Sequence, residues 1–272
     1  MPDFSIFALA FRDMNLGQQA WFIFSEYYEW FFRGAGFTLL IAISGTIAGS
    51  ILGLLIGIIR TIPVTARDGW GKKALLKVIN AILVGYIEFF RGTPMMIQAV
   101  VIFYGVAIVT GNAMHIIFAG FIIVAINTGS YMAEIVRGGI ISIDKGQFEA
   151  AHSIGMTHWQ TMINIILPQV MRNILPATGN EFVINIKDTS VLSVIGVTEL
   201  FYMSKSVSGS MFIYFQVFAI ACIFYLVMTL TVTRLLRLLE RKLEGSGTYT
   251  IHGSHTLNET EIKVGDNAYG HH

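Results

Sequence analysis

Residues 37–59 form an uncharged run of about 23 residues, and nothing else in the chain limits its fold so tightly. As an α-helix the run rises roughly 35 Å at 1.5 Å per residue, enough to cross a hydrocarbon core about 30 Å thick with some tilt. A spanning segment has no water to satisfy its backbone, so its N–H and C=O groups must bond within the segment, as they do in a helix. Of the 272 residues, 54% are hydrophobic and 13% charged, whereas soluble domains carry roughly 25% charged residues. Mean hydropathy is +0.64. The expectation is an all-α, polytopic membrane helical bundle. The net charge of +1 gives no basis for a nucleic-acid partner.

Four further segments complete a five-span reading. Residues 78–109 are apolar, but as one helix they would be roughly 48 Å long, too long for a simple span. The Arg91-Gly92-Thr93-Pro94 interruption either breaks the helix or makes its first part a cytoplasmic or interfacial helix. Residues 115–135 form the third span, the polar-burdened 177–197 the fourth and 211–232 the fifth. Arg60, Arg67, Lys72, Lys73 and Lys77 fill the first loop, Arg137, Lys145 and Arg172 flank the loop over 138–174, and Arg234, Arg237, Arg241 and Lys242 follow the last span. The other side has Arg12, Arg33 and Lys205. Positive charge collects on the cytoplasmic side, so the N-terminus is placed outside and the C-terminus inside, as an odd span count requires.

Gly45, Gly49, Gly53 and Gly57 recur every fourth residue of the first span, forming a groove into which another helix can pack closely. Residues 1–36 read as an external or interfacial segment, with Trp21, Tyr27, Tyr28 and Trp30 as an interfacial aromatic belt. No cleavable signal peptide is evident in it. Residues 241–272 read as a mobile cytoplasmic tail, and its terminal His271 and His272 are too few for a metal site. His115, His152 and His158 lack metal-ligand spacing, and the single Cys222 is a small apolar packing residue. The spans hold no clustered nucleophile and base and no metal-spaced histidines, which leaves no case for an enzyme.

The loop over 138–174 is punctuated like a folded element. Asp144 with Gln147 resembles a capping box opening a short helix over 147–154, and Gly155 stands where a left-handed residue ends one. Thr157 with Gln160 repeats the start signal, and Pro168 interrupts the next helix. Glu149 lies near the positive end of the first short helix, and Ala150 and Ala151 keep the neighbouring surface flat for a partner.

Glu181, Asn185 and Asp188 are spaced i, i+4, i+7 and share one helix face. Intramembrane carboxylates cost about 2.5–3.5 kcal/mol on insertion scales, so they face a bundle interior or a water-filled cavity. The stripe suits an ammonium group, with Arg91 as the opposite charge; Lys187 points away. The same groups could instead pair with one another, Arg91 with Glu181 or Glu88, and simply hold the bundle.

Glu149-Ala150-Ala151, Gly155, Ile165, Leu167 and Pro168 resemble, at every spacing, the EAA-x3-G-x9-I-x-L-P motif of membrane subunits of binding-protein-dependent ABC importers. The stretches Phe90–Pro94, Tyr131–Gly139 and Asn180–Ser190 look like the polar amino acid branch, which groups importers of histidine, arginine, glutamine, glutamate, cystine and opines. The resemblance covers about residues 37–240. It implies a type I importer transmembrane domain over that stretch, in a bacterial cytoplasmic membrane. It also implies a second permease subunit, two ABC ATPase subunits carrying ATP and Mg, and an extracytoplasmic amino-acid-binding protein. Glu149, Ala150, Ala151, Gly155, Leu167 and Pro168 would then couple to the ATPase. The chain has no phosphate-binding loop of its own and needs no cofactor. One departure bears on the substrate: where members for cationic substrates carry an amide three residues after the glutamate, this chain has Ile184, with the amide at Asn185. Glutamine or glutamate is expected over arginine or histidine. A self-contained channel or ion-coupled carrier is the alternative reading, although no pair of related halves is visible.

Overall fold

The computed structural model describes residues 14–66 and 68–244, and among them every regular element is helical. Arg12, Arg67, the tail beyond Glu244, His271 and His272 lie outside the described residues. The first helix, α1 (Leu16–Arg60), has 45 residues, roughly 67 Å at 1.5 Å per residue and well beyond the thickness of a bilayer. Asn15 and Gln18 cap it reciprocally, each side chain accepting the other's backbone N–H at 2.9–3.0 Å. The helix is kinked at Tyr27 (φ −117°, ψ 17°), and from Tyr28 onward it runs without a break into the first span. Its apolar positions explain why: Ile23 and Phe31 are fully buried, and Phe24, Phe31 and Phe32 gather around Phe224 with ring centroids 5.1–6.3 Å away.

The glycine groove is filled by α4 (Ile116–Ile141). A Cβ on Gly45 would lie 2.5 Å from Val124 Cγ1, one on Gly49 2.6 Å from Thr128 Cβ, and one on Gly57 2.5 Å from Val136 Cγ1. At Gly53 it would overlap Met132 Cβ. Only glycine permits this approach along four turns, and the packing gained replaces the hydrophobic drive that lipid cannot supply.

The second apolar region is broken. Helices α2 (Trp70–Gly92) and α3 (Met95–Thr110) meet at Thr93–Pro94 with a bend of 116°. Thr93 is extended at φ −122°, ψ 147°, as the residue before a proline must be. Tyr86 fastens α2 to α4 through a 2.6 Å hydrogen bond to the Ile126 carbonyl.

After α4 come α5 (Lys145–Ser153), α6 (His158–Thr161), a π-turn (Met162–Ile166) and α7 (Leu167–Asp188). The fourth apolar segment, read as 177–197, thus begins ten residues earlier and ends at Asp188, where a 3-10 helix (Thr189–Ile195) takes over. Helices α8 (Leu200–Met211) and α9 (Phe215–Glu244) complete the described chain. Among the described residues three helices, α1, α4 and α9, are long and apolar enough to span alone, and the bent α2–α3 pair is a fourth candidate.

Candidate functional site

The loop between α4 and α7 folds as helix, turn, helix. Asp144 caps α5 by accepting from Gly146 N at 2.6 Å. The expected capping box with Gln147 is not made, because Gln147 is drawn across the loop to Gln169, donating at 3.2 Å and accepting at 2.6 Å. At the far end Gly155 has φ +86°. Its N–H meets the His152 carbonyl at 3.0 Å, and Met156 N–H meets the Ala151 carbonyl at 3.1 Å, the bond pair of a Schellman turn. Thr157 and Gln160 form the second cap as expected, with bonds of 2.8 and 3.3 Å. Pro168 falls just after the π-turn. It cannot donate to the carbonyl four residues back and would crowd it, and the wider turn accommodates that loss.

Ala151 is buried, while Glu149, Ala150 and Gly155 are exposed, as are the apolar Ile154 (77%) and Trp159 (55%). Leu167 is half-buried and Pro168 exposed. Beneath the loop, Met162, Ile166 and Val170 pack on Met132, Val136 and Ile140 of α4, with Phe148 against the same cluster. The loop is therefore rigidly seated and still presents an unpartnered face.

Ion pairing concentrates where α1 meets the end of α4. Glu134 takes Arg60 on one carboxylate oxygen and Arg137 on the other, the latter at 2.9 and 3.1 Å. In the preceding loop, hydrogen bonds from Lys72 and from the Thr65 N–H lower the Asp68 carboxyl to about 2. Burial, reinforced by the charges of His152 and Lys72, holds the His158 imidazole below its ordinary value, and its buried Nε2 has no partner among the described residues.

The polar stripe of α7 divides. Asn185 is 3% exposed and donates to Thr46 Oγ1 at 2.8 Å and to Thr128 Oγ1 at 2.9 Å, joining three helices. Glu181 and Asp188 are half-buried and belong to none of the ion pairs among the described residues. Arg91 is exposed, with Cζ 5.5 Å from the Tyr131 ring centroid. Among the described residues no salt bridge joins it to Glu181 or Glu88. Lys187 is exposed.

Two polar constellations were missed in the sequence. Glu199, fully buried, caps α8 by accepting from Phe201 N (2.9 Å) and Tyr202 N (2.7 Å), and also accepts from Tyr225 OH at 2.9 Å. An acidic residue just before a helical run was the available signal. Gln98 and Asn127 bond each other and the broken end of α2, and their sequence positions gave no hint of the pairing.

Comparison with known proteins gives this arrangement its relatives. The family described as binding-protein-dependent transport system inner membrane component matches residues 71–245. The glutamine transport system permease protein GlnP of Escherichia coli is 35% identical over 213 residues, covering 78% of this chain and 92% of that protein. The nopaline transport system permease protein NocM of Agrobacterium fabrum is 32% identical over 211 residues, covering 74% and 86%. Among solved structures, a crystal structure of an amino acid ABC transporter with histidines aligns with TM-score 0.70 at 36% identity, over 80% of this chain and 96% of that one. An inward-facing MetNI methionine ABC transporter aligns with TM-score 0.68 at 17% identity, over 81% of this chain and 99% of that one, a likeness of fold.

Proposed function

The chain belongs to the family of binding-protein-dependent transport system inner membrane components, and from that premise we propose that it carries a polar amino acid across a bacterial cytoplasmic membrane, driven by ATP hydrolysis on separate ABC ATPase subunits. It is a membrane-embedded permease subunit. The observation that carries the mechanism is the α5–α6 turn: Ala151 is buried while Glu149, Ala150 and Gly155 face outward. A short helix capped at both ends transmits force, because a push on its outer face moves the α4 and α7 segments packed beneath it. Glu149, Ala150, Ala151, Gly155, Leu167 and Pro168 are assigned to that contact. A second permease subunit and an extracytoplasmic binding protein complete the assembly, with ATP and Mg bound on the ATPase.

Arg91, Glu181 and Asp188 are assigned to the pathway, with Asn185 holding the α7 stripe that presents the carboxylates. An amino acid carries one positive and one negative group, which the half-buried carboxylates and Arg91 complement. Glutamine or glutamate is the substrate proposed. The lack of an amide at Ile184 favours it, and so does the similarity to proteins named as glutamine permeases. Uptake of labelled L-glutamine into proteoliposomes holding the assembled transporter, with ATP trapped inside or omitted, tests the reading. Accumulation should require ATP and the binding protein. Transport driven by an ion gradient alone would sink it in favour of a carrier.

A further inference from the structure

At the 116° bend between α2 and α3, the last carbonyls of α2 lose their helical donors. Within a membrane such groups must be bonded again by other parts of the protein. Thr93 Oγ1 donates to the Phe89 carbonyl at 2.8 Å. Three further acceptors at the break, on Phe90 and Thr93, converge on Gln98, which is 3% exposed. Its Nε2, with two hydrogens to give, lies 2.9 Å from the Phe90 carbonyl and 2.8 Å from both the Thr93 carbonyl and Oγ1, so at least one of those hydrogens is shared between two acceptors. Gln98 Oε1 accepts from Asn127 Nδ2 at 2.9 Å, and that nitrogen also reaches the Phe90 carbonyl at 3.5 Å. Arg91 lies between the two clamped residues, Phe90 and Thr93, with its guanidinium over Tyr131.

We propose that Gln98 and Asn127 are positioning residues for substrate: by locking the α2–α3 break they hold Arg91 on Tyr131, where it meets the carboxylate of the amino acid in transit. This rests on the amino-acid-import reading above. The geometry requires an amide at position 98. A carboxylate has no hydrogen to give the Phe90 and Thr93 carbonyls, a leucine bonds nothing, and an asparagine is one methylene too short to reach both. Asn127 in turn fixes which way the Gln98 amide faces, because its donor selects Oε1 and turns Nε2 toward the backbone.

A role confined to folding and a role exercised through Arg91 differ in a double-mutant cycle. The dissociation constant of labelled L-glutamine is measured on the assembled permease–ATPase complex in lipid nanodiscs, without the binding protein, so that only the membrane site is read. Wild type, Gln98→Asn, Arg91→Gln and the double variant are compared, with ATP-driven uptake of wild type in proteoliposomes as the control. Gln98→Asn should weaken binding about 10-fold, and in the Arg91→Gln background it should change binding by less than about twofold. Asn127→Ser breaks the same clamp from α4, must show the same dependence on Arg91, and decides the matter if Gln98→Asn does not assemble. Equal losses in both backgrounds, or lowered thermal stability with unchanged affinity, would overturn the positioning role. So would a wild-type membrane complex that takes up glutamine with ATP yet shows no binding of its own. If the wild-type control fails to take up glutamine, the import reading falls and this inference with it.

Discussion

Asn185 donates within the bundle, to Thr46 at 2.8 Å and to Thr128 at 2.9 Å, so α7 is pinned to both helices of the glycine groove. One turn away on the same face, Glu181 is half-buried and unpaired by any ion pair among the described residues. Side-chain hydrogen bonds between membrane helices average about 0.6 kcal/mol each. Asn185→Leu should therefore lower stability by about 1–2 kcal/mol, read as reduced thermal stability of the purified complex. Selectivity between glutamine and arginine should stay within about twofold of wild type. Glu181→Gln and Asp188→Asn preserve size and remove charge, so the opposite pattern is expected: near-normal stability, with selectivity changed about fivefold or more, roughly 1 kcal/mol of differential binding. If Asn185→Leu shifts selectivity as far as the carboxylate variants do, the amide belongs to the pathway and not to the scaffold.

At the scale of elements, the α5–α6 turn depends on Gly155 at φ +86°, a conformation that costs a β-branched residue about 1–2 kcal/mol or more. Gly155→Val should leave membrane insertion intact while uptake and substrate-stimulated ATP hydrolysis are both lost; full uptake would show that this turn does not transmit force. The same turn has a pH dependence. His158 is held below its ordinary value by burial first, then by His152 and Lys72. A group with a depressed folded pKa contributes stability above its unfolded value of about 6.5, and that contribution is lost as pH falls toward and through the folded value. Amide exchange over residues 155–161 should quicken, after correction for intrinsic rates, between about pH 7.5 and 5.5. His158→Gln should remove most of the change, and an equal change in that variant would rule His158 out. These features were legible because they are local. Gly155 and the Thr157–Gln160 box announce themselves within four residues, and the groove follows from a four-residue glycine period. The Asp144–Gln147 box failed for the complementary reason, since Gln147 found a partner 22 residues away. Partners 29 residues apart at Gln98–Asn127, 26 at Glu199–Tyr225 and 139 at Asn185–Thr46 are fixed only when helices pack. A polar residue in an apolar run shows that a partner exists without saying which one.

For the whole molecule, the remaining question is which end of the bundle faces the cytoplasm. Lys72, Lys73, Lys77, Arg137, Lys145 and Arg172 surround the α1–α2 and α4–α7 connections, and Arg234, Arg237, Arg241 and Lys242 close α9. The connections at the other end carry Lys205 on α8, and Arg33 lies within α1. Ionic side chains follow the bias that retains positive loops inside, so five crossings with the N-terminus outside is the expected topology. The fold is consistent with this only if the broken α2–α3 pair crosses once and α7, too polar to pass as a span alone, crosses under the cover of its neighbours. That cover exists: Ile186 and Val170 are fully buried, and Asn185 bonds inward. Single cysteines at three exposed positions, Asn112, Gly209 and Lys145, placed in a Cys222→Ala background, can be probed with a membrane-impermeant maleimide on intact cells whose outer barrier has been removed. Asn112→Cys and Gly209→Cys should label at once, and Lys145→Cys only after the membrane is permeabilised. Labelling at 145 but not 112 would invert the molecule and turn the α5–α6 face away from any ATPase. Labelling of both 112 and 145 from outside would mean that α4 does not cross, which its apolar, 26-residue length makes physically hard to accommodate.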